Sequence, residues 1–135
     1  MEISMLIFFH KLLMVLAVLS IISGVSAAVF FRQKRYWLKV HKAFNSSSVI
    51  FMSAGVVMAF LAVWQTNGEH LAGLHPFIGI TALGFTIVSL LLGFYQFQAK
   101  NRMQAFRTAH RWLGRLSLIM IVAALISGLK HAGII

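Results

Sequence analysis

Long uncharged stretches alternate with short segments that carry most of the charged residues. Residues 12–31, 43–68 and 70–99 contain no Asp, Glu, Lys or Arg, and a shorter fourth stretch covers residues 116–129. Each of the first three reaches the roughly 20 residues that a helix needs to cross about 30 Å of hydrocarbon. The fourth stretch reaches that length if its helix begins near Met103 and its first basic side chains extend to the headgroup layer.

The pattern therefore predicts four transmembrane helices, over about residues 3–31, 38–64, 70–98 and 103–130. Consecutive spans run in opposite directions, so the predicted fold is all-α, an integral membrane antiparallel four-helix bundle. We expect it to form a single domain over residues 1–135. Only 10% of the residues are charged, against about 25% in soluble domains.

Two features of the chain limit its chemistry and its processing. Cysteine is absent, which excludes disulfides and iron–sulfur clusters. Residues 25–28 resemble a signal-peptidase site, but the dense basic cluster follows the first apolar stretch instead of preceding it. We therefore expect the first stretch to be retained as a membrane helix.

The basic residues fix the predicted orientation. Of the 12 Lys and Arg residues, 10 lie in or beside the first and third connections. By the positive-inside rule these two connections are cytoplasmic and both termini lie on the opposite, non-cytoplasmic side. Topology and anionic lipid headgroups account for the net charge of +10, so we expect no nucleic-acid partner. The ten residues are Arg32, Lys34, Arg35, Lys39, Lys42, Lys100, Arg102, Arg107, Arg111 and Arg115.

One histidine lies near the start of each predicted helix: His10, His41, His75 and His110. Ionisable side chains at membrane depth cost free energy and usually mark a functional site. Because the helices alternate in direction, His10 and His75 are expected in the outer layer, and His41 and His110 in the inner layer. The sequence thus predicts two separate pairs of imidazoles.

Haem suits such pairs better than zinc does. Zinc prefers four ligands, often with sulfur or carboxylate, whereas haem iron needs only two axial imidazoles. Gly79 and Gly114 each follow a histidine by four residues, so each lies on the same helix face and leaves room for a macrocycle edge. A small-residue notch for helix packing explains a single copy of this pattern equally well. We predict two b haems per chain, with iron bound by the four histidines.

Other polar residues are candidates for contacts with a cofactor, a donor or an acceptor. Arg111 and Arg115 are predicted to pair with haem propionates or an anionic donor, although interfacial anchoring explains the same residues without any ligand. Asn45 and the three serines after it could bond a propionate, a quinone head or a neighbouring helix. His70 and His131 are alternative outer ligands or contacts for an external acceptor.

Four segments carry a resemblance to a known family. The sequences FHKLLMVLAVLSIISGV, VHKAFNSSSVIFMSAGVVMAF, LHPFIGITALGFTIVSLLLGFY and AHRWLGRLSLIMIVAALISGL resemble the core helices of the cytochrome b-561 family, which are transmembrane di-haem electron carriers. The chain resembles a stripped core, without the flanking helices common in that family. The resemblance implies that the first and third helices share one haem and the second and fourth share the other.

The resemblance also implies electron transfer from a cytoplasmic-side reductant, ascorbate-like or quinol, to an acceptor on the other side. The expected partners are the lipid bilayer and a small-molecule or protein donor and acceptor. Three alternatives stay open: a free-standing transmembrane oxidoreductase, a haem-binding subunit of a larger redox complex or homodimer, and a haem-free structural bundle. No residue is predicted to be catalytic.

Overall fold

The computed structural model describes residues 2–66, 68–70, 73–98 and 103–134. They form four helices: α1 (Ile3–Phe30), α2 (Trp37–Gln65), α3 (Leu74–Tyr95) and α4 (Met103–His131). By length and composition, all four can cross a membrane. The described part of the chain contains no strand, so the predicted all-α membrane fold is confirmed. Lys100 and Arg102, two of the predicted cytoplasmic residues, lie outside the described residues.

Helix α3 is shorter than the predicted range of 70–98. It begins at Leu74, because Gly73 adopts a left-handed φ of 97° that interrupts any earlier helix. Pro76 then lies in the first turn, where no N–H is needed for the helix. At the other end the Gln96 side chain donates a hydrogen bond to the Gly93 carbonyl at 3.0 Å, and the chain leaves the helix in turns.

The first compact unit, Met1–His70, is a hairpin of α1 and α2. Hydrogen bonds join residues of α1 to residues of α2. The residue numbers of the bonded partners rise along α1 while they fall along α2, so the two helices are antiparallel. Successive partners are seven residues apart, which is close to two helical turns and places them on one face. The bonded pairs are His10 with Gly55, Ala17 with Ser48, and Gly24 with His41, at 2.8, 2.9 and 2.8 Å.

The second compact unit, Leu71–Ile135, is a hairpin of α3 and α4 with the same construction. The His75 imidazole lies 3.1 Å from the Ala124 carbonyl, and the His110 imidazole lies 2.8 Å from the Ser89 carbonyl. Between these two contacts, Ala82 and Ser117 are 0% and 1% exposed. Because small side chains fill the middle of each hairpin, its two helix backbones can approach closely.

Every helix therefore carries the same repeat: a histidine, a small residue seven positions later, and another small residue seven positions after that. Each histidine bonds the backbone of the third member of the repeat in the neighbouring helix. Fourteen residues rise about 21 Å, so the two histidines of a hairpin lie near its opposite ends. The repeats are His10–Ala17–Gly24, His41–Ser48–Gly55, His75–Ala82–Ser89 and His110–Ser117–Ala124.

Ala17→Leu tests whether the close approach of the α1 and α2 backbones at the middle of the repeat stabilises the first hairpin. Ala17 is 1% exposed, so the larger side chain has no room, and we expect a loss of about 1–3 kcal/mol in stability. Thermal unfolding in detergent measures the loss. The matched control is Ala43→Leu, at an exposed position of α2, which should unfold like the parent protein. Equal unfolding temperatures for the two variants would contradict this account of the packing.

Candidate functional site

The four histidines of the repeats share one hydrogen-bond geometry. In each, Nδ1 lies within 3.1 Å of a backbone carbonyl oxygen of the neighbouring helix in the same hairpin. A carbonyl oxygen can only accept, so Nδ1 carries the hydrogen, and the lone pair of the neutral ring lies on Nε2. All four side chains are half-buried. The backbone therefore fixes both the tautomer and the direction of each ring.

The carbonyls that receive these bonds lie inside helices, where each already accepts from an N–H four residues later. A carbonyl oxygen has two lone pairs, so an imidazole can share it when no bulky side chain shields the helix surface. Gly24, Gly55, Ser89 and Ala124 supply these carbonyls, and all four have small side chains. Their size is therefore part of the histidine site.

Two further glycines lie directly against histidine rings. A Cβ at Gly93 would come within 3.0 Å of Cε1 of His110, and a Cβ at Gly128 within 2.8 Å of Cε1 of His75. These separations are shorter than ordinary carbon–carbon contacts. Spacing within a single helix reveals neither glycine, because each one faces a histidine of the neighbouring helix.

The glycines that the sequence did select lie in different surroundings. A Cβ at Gly79 would meet nothing within 4 Å in the described part of the chain, and one at Gly114 would meet only the Ser89 hydroxyl, at 3.5 Å. Neither glycine is packed against an imidazole of the neighbouring helix. Both leave room on the helix face that carries a histidine, and their role in binding a macrocycle stays a prediction.

Arg111 and Arg115 are both exposed on α4. The Arg115 guanidinium lies over Trp112, with its Cζ atom 5.1 Å from the ring centroid. This contact keeps the positive charge beside an aromatic face. Pairing of these two arginines with propionates or an anionic donor stays a prediction.

The two remaining histidines lie elsewhere. His70 stacks on Phe60 with ring centroids 3.8 Å apart, and its Nδ1 atom has no hydrogen-bond partner. His70 thus lacks the backbone contact that fixes the four repeat histidines. His131 is exposed, and its ring lies parallel to that of His75 at a centroid distance of 6.3 Å.

Each hairpin holds one repeat histidine near either end, namely His10 and His41 in one hairpin and His75 and His110 in the other. Within the described residues of each hairpin, no three His, Asp or Glu side chains come together as a metal-binding group. Each repeat histidine offers one nitrogen donor, which suits the axial positions of haem iron. The predicted pairs, His10 with His75 and His41 with His110, draw one ligand from each hairpin.

Comparison with known proteins identifies the family. The sequence model described as eukaryotic cytochrome b561 matches residues 9–135, which include all four repeats. The chain belongs to the cytochrome b561 family. It is 27% identical over 136 residues to ferric-chelate reductase 1 of Mus musculus, covering 93% of this chain and 23% of the mouse protein. The chain thus spans about a quarter of that relative. No solved structure matches it.

Family membership confirms the resemblance found in the sequence. The chain is an integral membrane protein with four helices able to span the bilayer, from a family that transfers electrons across membranes with haem b. The histidine geometry fits this group, because an imidazole that donates from Nδ1 presents its Nε2 lone pair to iron.

Gly128→Ala and Gly93→Ala test whether the facing glycines hold the imidazoles in place. The added methyl group would push against His75 or His110, and we expect haem affinity to fall about 10- to 100-fold. Titration of the apoprotein with haem, followed by absorbance, measures the effect. Gly84→Ala is the matched control, since a Cβ there meets nothing within 4 Å. Equal affinities in all three variants would contradict the role of the facing glycines.

Proposed function

We propose that this chain carries electrons across a membrane through two b haems, one held by His10 and His75 and the other by His41 and His110. The observation that supports it is the common geometry of the four histidines. Each donates from Nδ1 to the backbone of its own hairpin, at the equivalent position of the repeat. Four rings held alike in an apolar chain are suited to the same task.

The chain's own residues prepare each imidazole for ligation. In the neutral ring, donation from Nδ1 to a carbonyl selects the tautomer with its lone pair on Nε2 and increases the electron density there, which makes the ring a better axial ligand. The backbone contact also restricts rotation of the ring before any cofactor binds. Bound haem would supply a reversible one-electron couple between ferric and ferrous iron.

The spacing of the repeat supports two centres at different depths. In each hairpin the two histidine contacts are separated by about 21 Å of helix rise, which is much of the roughly 30 Å hydrocarbon thickness. One histidine of each hairpin thus lies toward each membrane face. We propose that both termini are non-cytoplasmic and that the His41 and His110 end faces the cytoplasm, as the basic residues indicate.

The proposed donor is a small reductant on the basic side, either an ascorbate-like anion or a quinol. Arg111 and Arg115 are exposed near His110 and would attract an anion to that end of the chain. The mouse relative is named a ferric-chelate reductase, which makes a ferric chelate our proposed acceptor on the opposite side. Each electron lost by the donor would reduce one ferric ion to ferrous.

A role as one module of a larger redox protein is the second candidate. The matched region is only 23% of the mouse relative, so in that protein it works within a much longer chain. A partner protein could then supply or receive the electrons in place of a small molecule.

Single His→Leu variants test the ligand pairs. We expect His10→Leu and His75→Leu to remove one haem and His41→Leu and His110→Leu to remove the other, since each haem loses an axial ligand. The pyridine haemochrome assay measures haem per chain, expected to fall from two to one, and the low-spin spectrum shows which centre is lost. His70→Leu is the control and should keep both haems. Loss of the same centre in His10→Leu and His41→Leu would contradict the pairing, and a colourless parent protein would contradict the function.

Sealed vesicles containing the purified protein test electron transfer itself. With ascorbate outside and ferric citrate inside, we expect ferrous iron to appear inside, because two centres at different depths provide a path through the bilayer. A chromogenic ferrous chelator inside the vesicles reports the rate. His41→Leu should reduce that rate to the background of protein-free vesicles. A parent protein that binds both haems but gives only background reduction would contradict the proposed acceptor.

A further inference from the structure

His41 has a side-chain neighbour that distinguishes it from the other repeat histidines. Asn45, four residues later on the same helix, places its amide nitrogen 3.1 Å from the Nδ1 atom of His41. None of the residues at the equivalent position of the other repeats has an amide side chain. Those residues are Met14, Gly79 and Gly114.

The position of this amide is fixed from two sides. Its nitrogen donates a hydrogen bond to the His41 carbonyl at 2.6 Å, and the side chain is half-buried. Gly24 lies directly beneath it, so that a Cβ at Gly24 would collide with the Asn45 amide nitrogen. The amide is therefore directed into the first hairpin, toward the imidazole, and not toward a headgroup or a soluble ligand.

Two polar groups beside the His41 Nδ1 atom act on the ring in opposite directions. The Gly24 carbonyl, at 2.8 Å, accepts the Nδ1 hydrogen and makes the ring richer in electrons. The Asn45 amide N–H group is a donor, and it brings the positive end of a dipole close to the same atom. Positive potential beside an axial ligand favours the reduced state of the iron, which carries one more electron.

We propose that Asn45 is a positioning residue for His41 that makes the haem bound by His41 easier to reduce than the Gly24 contact alone would make it. This inference rests on the proposed function, because it requires His41 to be an iron ligand. The repeat gives the four histidines equivalent backbone contacts, so a difference between the two centres has to come from residues whose side chains approach the rings. Asn45 is such a residue, in direct contact with a proposed ligand.

The decisive variant is Asn45→Leu in the full chain with haem bound, since Leu has a similar volume but no amide. At a fixed ambient potential we expect the reduced-to-oxidised ratio of one centre to fall about three- to tenfold, which is comparable in free energy to one neutral hydrogen bond. Tenfold corresponds to about 59 mV for a one-electron couple. The affected centre should be the one that His41→Leu removes, and the other centre should not change. Asn45→Ala should shift the same centre in the same direction.

An amide can be introduced at the equivalent position of the first helix, because Met14 follows His10 by four residues as Asn45 follows His41. Met14→Asn should raise the reduced-to-oxidised ratio of the centre that His10→Leu removes, while Met14→Leu should leave both ratios unchanged. The Met14→Asn variant also tests the inference if both Asn45 variants fail to fold. An unchanged reduced-to-oxidised ratio in Met14→Asn would then overturn the inference.

The possible results distinguish a failure of this inference from a failure of the proposed function on which it rests. If the Asn45 variants keep both haems and neither ratio changes, or if both centres shift equally, the tuning role of Asn45 is wrong while the ligand assignment stands. If His41→Leu itself keeps both haems, the ligand assignment fails, whatever the Asn45 variants show. A shift confined to the His41 centre supports both.

Discussion

The hydrogen bond between an imidazole Nδ1–H and a carbonyl of the neighbouring helix is the interaction on which both hairpins depend. Inside a bilayer there is no water to satisfy a half-buried imidazole, and apolar contacts alone give helices little reason to associate. The bond meets both needs, but only if the carbonyl is unshielded and the backbones are close. Small residues seven and fourteen positions after each histidine meet these conditions, as Ser48 and Gly55 do after His41.

The same bond connects folding to the proposed chemistry. A histidine held by its own hairpin loses ring freedom when the hairpin forms, so less is lost when the ring binds a metal. Iron requires the lone pair of the neutral ring, and a carbonyl partner at Nδ1 leaves that lone pair on Nε2. Each hairpin would thus carry two prepared ligands.

Much of the fold could be predicted from the sequence, because four apolar stretches of sufficient length allow few alternatives in a membrane. Helix α3 begins at Leu74, later than the apolar composition indicates, because Gly73 adopts a positive φ directly before it. The candidate histidines stood out as ionisable residues near the starts of apolar segments. Their partners were missed, because periodicity within one helix does not show which residues face each other across two. The repeat indicates the carbonyl partners, whereas the facing glycines Gly93 and Gly128 require the packed helices.

A repeat that makes four sites alike also leaves a question for an electron carrier, because equivalent centres would hold an electron equally well. The side chains that make the four sites differ lie close to the imidazole rings. Ser127 lies 3.2 Å from the His75 Nδ1 atom, and the Ser89 hydroxyl lies 3.4 Å from that of His110, whereas His41 has an amide donor. A hydroxyl can rotate to accept or donate, but an amide N–H can only donate. The Asn45 N–H group therefore always brings positive potential toward the His41 ring and favours reduction of that centre. The serine hydroxyls have no such fixed direction.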